Sequence, residues 1–97
     1  MKKIKWDHDK NIELQNERGV SFEVVTHYLE QSKIVDIMDH PNKSKYPNQK
    51  IFVLNINNYI YLVPFVENEV EIFLKTIIPS RKATKSYLKD DDNGSKI

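Results

Sequence analysis

Lys75, Arg81 and Lys82 lie within eight residues of one another. Lys50, Lys43 and Tyr87 are candidates to join them. A set of this kind suits RNA cleavage by 2′-hydroxyl attack, which needs no metal. That reaction requires a base for the 2′-OH, a cation for the charged phosphorane and an acid for the leaving 5′-oxygen. Arg81 suits the phosphate clamp, because its planar fork matches phosphate oxygens. Lys75 suits base or stabiliser, with Lys50 and Tyr87 completing the catalytic set, provided that neighbouring cations lower a lysine or tyrosine pKa. Lys82, Lys85, Lys43 and Lys45 would hold the RNA backbone. His40, in the same basic stretch as Lys43 and Lys45, is a candidate acid or base and RNA contact. Tyr59, Tyr61 and Phe73 offer faces for splayed bases. The plainer alternative for each cation is a solvated side chain, and for each aromatic a packing role.

Other chemistries have little to stand on. There are no cysteines and only two glycines, so thiolate metal sites and a Gly-rich phosphate loop are excluded. No His/His/carboxylate spacing and no Ser-His-Asp set is visible, and His8, His27 and His40 are isolated. Neither a metal nor another cofactor is expected.

The elements that must position these residues follow from pattern. Ile4 and Trp6 alternate with Lys3 and Lys5, as in an edge strand. Asp7 is a good N-cap for a helix from His8, and Gly19 a good stop. Ser21 would cap a second helix, with Val20 and Val25 as its staple and Val24, Val25, Tyr28 and Leu29 as its apolar face. Residues 34–38 read as a strand and residues 39–49 as a loop. Residues 50–56 and 59–66 read as a hairpin turning at Asn57-Asn58, since asparagine tolerates positive φ. Pro64 cannot donate to a ladder, so an edge or a bulge is expected there. Residues 70–78 read as one apolar strand, with Val70, Ile72, Leu74 and Ile78 toward the core and Lys75 on the open face. A short basic helix over residues 80–89 closes the domain, and residues 90–97 form a polar tail expected to be disordered. In that helix Arg81 and Lys82 would sit at the positive end of the dipole, an unfavourable placement that an anion would relieve. The expectation is one α+β domain over residues 1–89, with the helices on one side of an antiparallel meander sheet.

The net charge of +1 hides an asymmetry. Between His40 and Lys89 there are eight Lys/Arg against three acids, Glu67, Glu69 and Glu71. A basic half in a near-neutral chain points to a polyanion at one face. The opening MKKIKWDHDK carries charge without an apolar run, so no secretory signal is expected. The apolar stretches are too short to span a bilayer. A cytoplasmic location is the expectation.

Two motifs carry a family resemblance. WDHDKN…RGVSFE, Trp6 to Glu23, resembles the W-D-x-x-K-N…K-H-G-V-S-F-E opening of BrnT-type toxins. LKTIIPSRKATKSY resembles the I-S-A-R-x-A…Y ending of the same family. The similarity extends over about residues 4–89. It implies a small RelE-like fold, inhibition of translation by RNA cleavage, and a ribbon-helix-helix antitoxin (BrnA-like) as partner. Operator DNA would be contacted only through the toxin–antitoxin complex. By resemblance Arg81 matches the arginine of the closing motif, Lys50 stands for an arginine before a central strand, and Lys10 matches the lysine of the opening and is a further candidate RNA contact. The chain departs from the pattern where Arg18 replaces the histidine of K-H-G and Leu14 replaces an asparagine. A rival reading is a RelE/ParE-like protein-binding module, directed at gyrase or inactive. A third is a housekeeping domain with a solvated basic face.

Overall fold

Asp7 ends the first strand and begins the first helix. The computed structural model describes residues 2–88. The expected tail over residues 90–97 lies outside them, as does Lys89. Strand β1 spans Lys3–Trp6 and helix α1 spans His8–Arg18. The Asp7 carboxylate accepts the backbone N–H of Asp9 at 2.9 Å and of Lys10 at 3.4 Å. Both are donors that a helix start leaves open. Gly19 closes α1 with φ 67°, in the left-handed region that glycine enters at no steric cost. Ser21 caps α2, Phe22–Glu30, through the N–H of Val24 at 3.2 Å.

A buried amide ties the two helices together. Asn11 is only 3% exposed. Its Oδ1 accepts the backbone N–H of Phe22 at 2.8 Å, and its Nδ2 donates to Glu23 Oε1 at 2.7 Å. Both ends of the amide are therefore satisfied, as burial requires. The Asn11 donor, followed by a backbone N–H, holds the Glu23 carboxyl below the ordinary carboxylate range. Trp6 stacks on Phe22 with centroids 5.7 Å apart, joining β1 to α2.

Five further strands follow: β2 Asp36–Asp39, β3 Lys50–Ile56, β4 Tyr59–Glu67, β5 Glu71–Leu74 and β6 Ile78–Pro79. Helix α3, Arg81–Tyr87, comes last. The sheet order is β1-β5-β4-β3-β2, with β6 also beside β4. Strands β2 to β5 form the antiparallel meander. Asn57 and Asn58 make its central turn with φ 55° and 65°. Strand β1 sits at the sheet edge, as its alternation suggests, and joins β5 in parallel.

The α+β class and element order match the sequence reading, and five details differ. First, the last strand is not continuous. It breaks after Leu74 and resumes at Ile78, so Leu74 and Ile77 are both fully buried while Val70 is 65% and Ile78 39% exposed. A period-two pattern cannot pass through such a break, and Val70 and Ile78 are not core. Second, Pro64 is neither at an edge strand nor in a bulge of its pairing with β3; it lies inside β4, opposite Ile51. Its carbonyl accepts the N–H of Lys75 at 2.8 Å. A residue's N–H and C=O share one side of a strand, so its missing donor faces the gap between β5 and β6.

Third, the helices do not share one side. Leu14, Val20, Phe22 and Val25 join Phe52, Leu54, Ile56, Val63 and Phe65 in one core. Helix α3 instead lies over the other face, beside Met38 and Leu62. Fourth, Val24 is exposed, and Phe22 takes the place expected for it on the buried face of α2. Strand β2 also begins and ends later than the expected residues 34–38.

Candidate nucleic-acid interface

The four catalytic candidates fall into two groups. Asp39, Lys50, Phe65, Leu74 and Trp6 form one row across the sheet. Lys50 and Leu74 flank Phe65 in that row and share its face, whereas Lys75, one residue after Leu74, has its Nζ beside Phe73, which belongs to the opposite face. Arg81 and Tyr87 lie elsewhere, on α3. The N–H of Ser80 donates to the Ile60 carbonyl at 3.0 Å, whereas Lys75 bonds Pro64. The two attachment points are four residues apart along β4, roughly 13 Å at strand spacing. Lys75 and Arg81 therefore start from well-separated backbone positions.

Helix α3 is held by its own short-range bonds and two ties to the sheet. Ser80 Oγ accepts the N–H of Ala83 at 3.0 Å. Thr84 Oγ1 donates to the Ser80 carbonyl at 2.7 Å and accepts the N–H of Ile60 at 2.9 Å. At the far end the Tyr87 hydroxyl donates to Asp36 Oδ2 at 2.8 Å. That carboxylate, with some burial, pushes the Tyr87 phenol above its ordinary pKa. The expectation of a phenol lowered by nearby cations is thus corrected: a negative neighbour won, and Tyr87 is unsuited to the role of base.

The cations divide by company. Lys2 pairs with Glu67 at 2.8 Å, Lys5 with Glu71 at 2.9 Å, Lys10 with Glu13 at 3.5 Å and Lys43 with Asp39 at 3.1 Å. Among the described residues, Lys50, Lys75, Arg81, Lys82 and Lys85 have no carboxylate within 4.0 Å, and all five are exposed. The first turn of α3 holds no acid. Lys75 Nζ lies 5.5 Å from the Phe73 ring centre, a contact that leaves its charge open to an anion.

The loop between β2 and β3 is ordered by its own contacts. His40 Nδ1 accepts the N–H of Asn42 at 3.0 Å, and its ring packs on Tyr46 at 4.4 Å. Lys45 Nζ lies 5.4 Å from the same tyrosine ring. As an acceptor, Nδ1 carries no proton, so the proton of the neutral ring belongs to Nε2. Between this loop and α3 runs a shallow groove of about 380 Å³, lined by Met38, Pro41, Leu62, Lys82, Ala83 and Tyr87 among others.

Arg18 was not among the candidates, yet it makes the longest reach between a helix and the broken strand. Its Nη1 donates to the Ile77 carbonyl at 2.7 Å. No sequence pattern signals this bond, because the carbonyl is freed only by the break between β5 and β6. Among the described residues no group of three His, Asp or Glu side chains is placed to hold a metal ion, and no helix is long and apolar enough to cross a membrane. Comparison with protein-family models, curated proteins and solved structures finds no match for the chain.

Proposed function

We propose that this chain is the toxin of a type II toxin–antitoxin pair, a metal-independent endoribonuclease that inhibits translation and is neutralised by a ribbon-helix-helix antitoxin. The observation that carries the reading is that Lys45, Lys50, Lys75, Arg81, Lys82 and Lys85, all in the second half, are exposed and have no carboxylate partner among the described residues. Uncompensated positive charge in one half of a near-neutral chain attracts a polyanion. The motifs at Trp6–Glu23 and at the C-terminal helix supply the toxin and antitoxin part of the proposal.

In this reading a base removes the 2′-OH proton as the 2′-oxygen bonds to phosphorus. The bond from phosphorus to the 5′-oxygen breaks, and that oxygen takes a proton. Arg81 holds the phosphate, and Lys82 and Lys85 extend the contact along the backbone. Lys75 and Lys50, attached elsewhere on the sheet, add to the positive field at the developing charge. Tyr87, whose phenol keeps its proton, serves as an acid after release from Asp36. Operator DNA is met only through the antitoxin complex.

The test is induction of this chain alone in growing cells, with Arg81→Ala and Lys75→Ala beside it. Growth arrest with RNA fragments ending in 2′,3′-cyclic phosphate, lost in the variants, is the expected result. Full cleavage by a folded Arg81→Ala protein would refute the assigned site.

A second reading, a RelE/ParE-like module that binds protein without cutting RNA, is favoured by one observation. The Tyr87 phenol is occupied by Asp36, and the position of the motif histidine holds an arginine committed to a backbone carbonyl. Arrest with intact RNA and altered DNA topology would select a gyrase-directed module. Retained partner binding without arrest would select an inactive one.

A further inference from the structure

The break between β5 and β6 brings an anchored arginine close to a pair of tyrosines that the reaction above does not use. Arg18 ends α1 and donates to the Ile77 carbonyl at 2.7 Å. Two residues on, Pro79 lies opposite Tyr61 in the β4–β6 ladder. Tyr61 and Tyr59 occupy the same face of β4, with centroids 5.8 Å apart and ring planes at 64°. Both rings are partly exposed, and the Asn57-Asn58 turn beyond them is open to solvent. The anchored arginine and the aromatic pair thus both lie on the α1/α2 face, where β6 meets β4.

Each part has the chemistry of single-strand recognition. A guanidinium has five N–H donors, and the Ile77 carbonyl takes one from Arg18. Among the described residues no carboxylate lies within 4.0 Å of it. Anchoring fixes the fork before any ligand arrives, so little side-chain freedom is lost on binding. Tyrosine faces beside such a cation are the usual platform for unstacked bases, and a duplex cannot use them. Tyr61 also packs on the core, which holds its ring in place, while Tyr59 is nearer the turn.

We infer that Arg18, Tyr59 and Tyr61 form a binding site for single-stranded RNA in which Arg18 takes a phosphate and the tyrosines stack on bases. The inference rests on the RNA reading above and names the strandedness and contacts that reading leaves open. It assigns Arg18 a ligand role beyond satisfying a carbonyl.

The experiment is a fluorescence-anisotropy titration of the full chain with a labelled twelve-nucleotide 2′-O-methyl RNA of mixed sequence. The 2′-O-methyl group removes the attacking hydroxyl, so binding is read without cleavage. Arg18→Gln, Tyr59→Leu, Tyr59→Phe and Lys82→Ala are compared, each with its thermal melt. Arg18→Gln and Tyr59→Leu are expected to weaken binding about tenfold, and Tyr59→Phe less than about twofold, because the stacking face is kept. The duplex form of the same RNA should bind about tenfold more weakly than the single strand. Should Arg18→Gln fail to fold, Tyr59→Leu, at a partly exposed site, carries the test alone. The inference is overturned if folded Arg18→Gln and Tyr59→Leu bind like wild type while Lys82→Ala does not; the RNA reading then stands. If the wild-type chain binds neither single strand nor duplex, both fall.

Discussion

The β1–β5 edge and the α3 side carry cations of the same kind in opposite company. At the edge, Lys2 and Lys5 meet Glu67 and Glu71 at 2.8 and 2.9 Å, and of the β1 lysines only Lys3 has no carboxylate partner among the described residues. On α3, Arg81, Lys82 and Lys85 meet no carboxylate among the described residues. The cause is topology. Strand β1 docks parallel to β5, which brings N-terminal lysines against acids of the second half. Two of the three acids of that half are thereby used at the far edge. The fold thus sharpens a charge asymmetry that the sequence contains only in part. Exposed pairs like these contribute little to stability. Their effect is on the field that an approaching polyanion meets.

The comparison breaks most visibly if the α3 cations are removed. Arg81→Ala combined with Lys82→Ala should lower the RNA-cleavage rate on the order of 10²-fold, with the melting temperature little changed. A loss of activity that tracks unfolding instead would remove the functional meaning of the contrast. Stability is controlled at a different place. Asn11→Ala leaves the Phe22 N–H and the Glu23 carboxylate without their partner and should cost about 1–3 kcal/mol in denaturant unfolding. RNA affinity of the protein that remains folded should be unaltered.

Finer tests separate the two regions by salt and by pH. Lys82→Ala should reduce the slope of log affinity against log salt by about 0.7 for single-stranded RNA, whereas Lys5→Ala should leave the slope unchanged. Equal changes in both would erase the distinction between the paired edge and the open side. Glu23 has a lowered folded-state pKa, so its contribution is present above the unfolded pKa and is lost as pH falls through the folded value. Glu23→Gln should flatten the acid limb of a stability-against-pH curve. Tyr87 has a raised pKa, so its bond to Asp36 contributes below the unfolded phenol value and is lost as pH rises through the folded one. Tyr87→Phe should flatten the alkaline limb, the smallest of these effects because the pair is exposed.

Local chemistry made much of the fold legible. Asp7, Gly19 and Ser21 act within a few residues of their own position, and Asn57-Asn58 turns where two positive φ values are needed. The motif at Trp6–Glu23 also has a structural account. Trp6 stacks on Phe22, Asp7 and Ser21 cap helices, and Asn11 reaches Phe22 and Glu23. These residues hold α1, α2 and β1 together, so the motif speaks first for the fold. The candidate site was less legible. Lys75 and Arg81 are six positions apart in the chain, but the strand break and the turn at Ser80 attach them to different parts of β4.

The sequence by itself determined the element order, the caps, the hairpin turn and the excess of cations in the second half. Each of these is set by short-range sterics, hydrogen bonding or composition. Only the tertiary structure decided which cations stay unpaired, that Tyr87 faces a carboxylate, that α3 covers the opposite face from α1 and α2, and that Arg18 reaches Ile77. These depend on which strands become neighbours and where one of them breaks, and no local pattern specifies contacts between residues 51 or 59 positions apart.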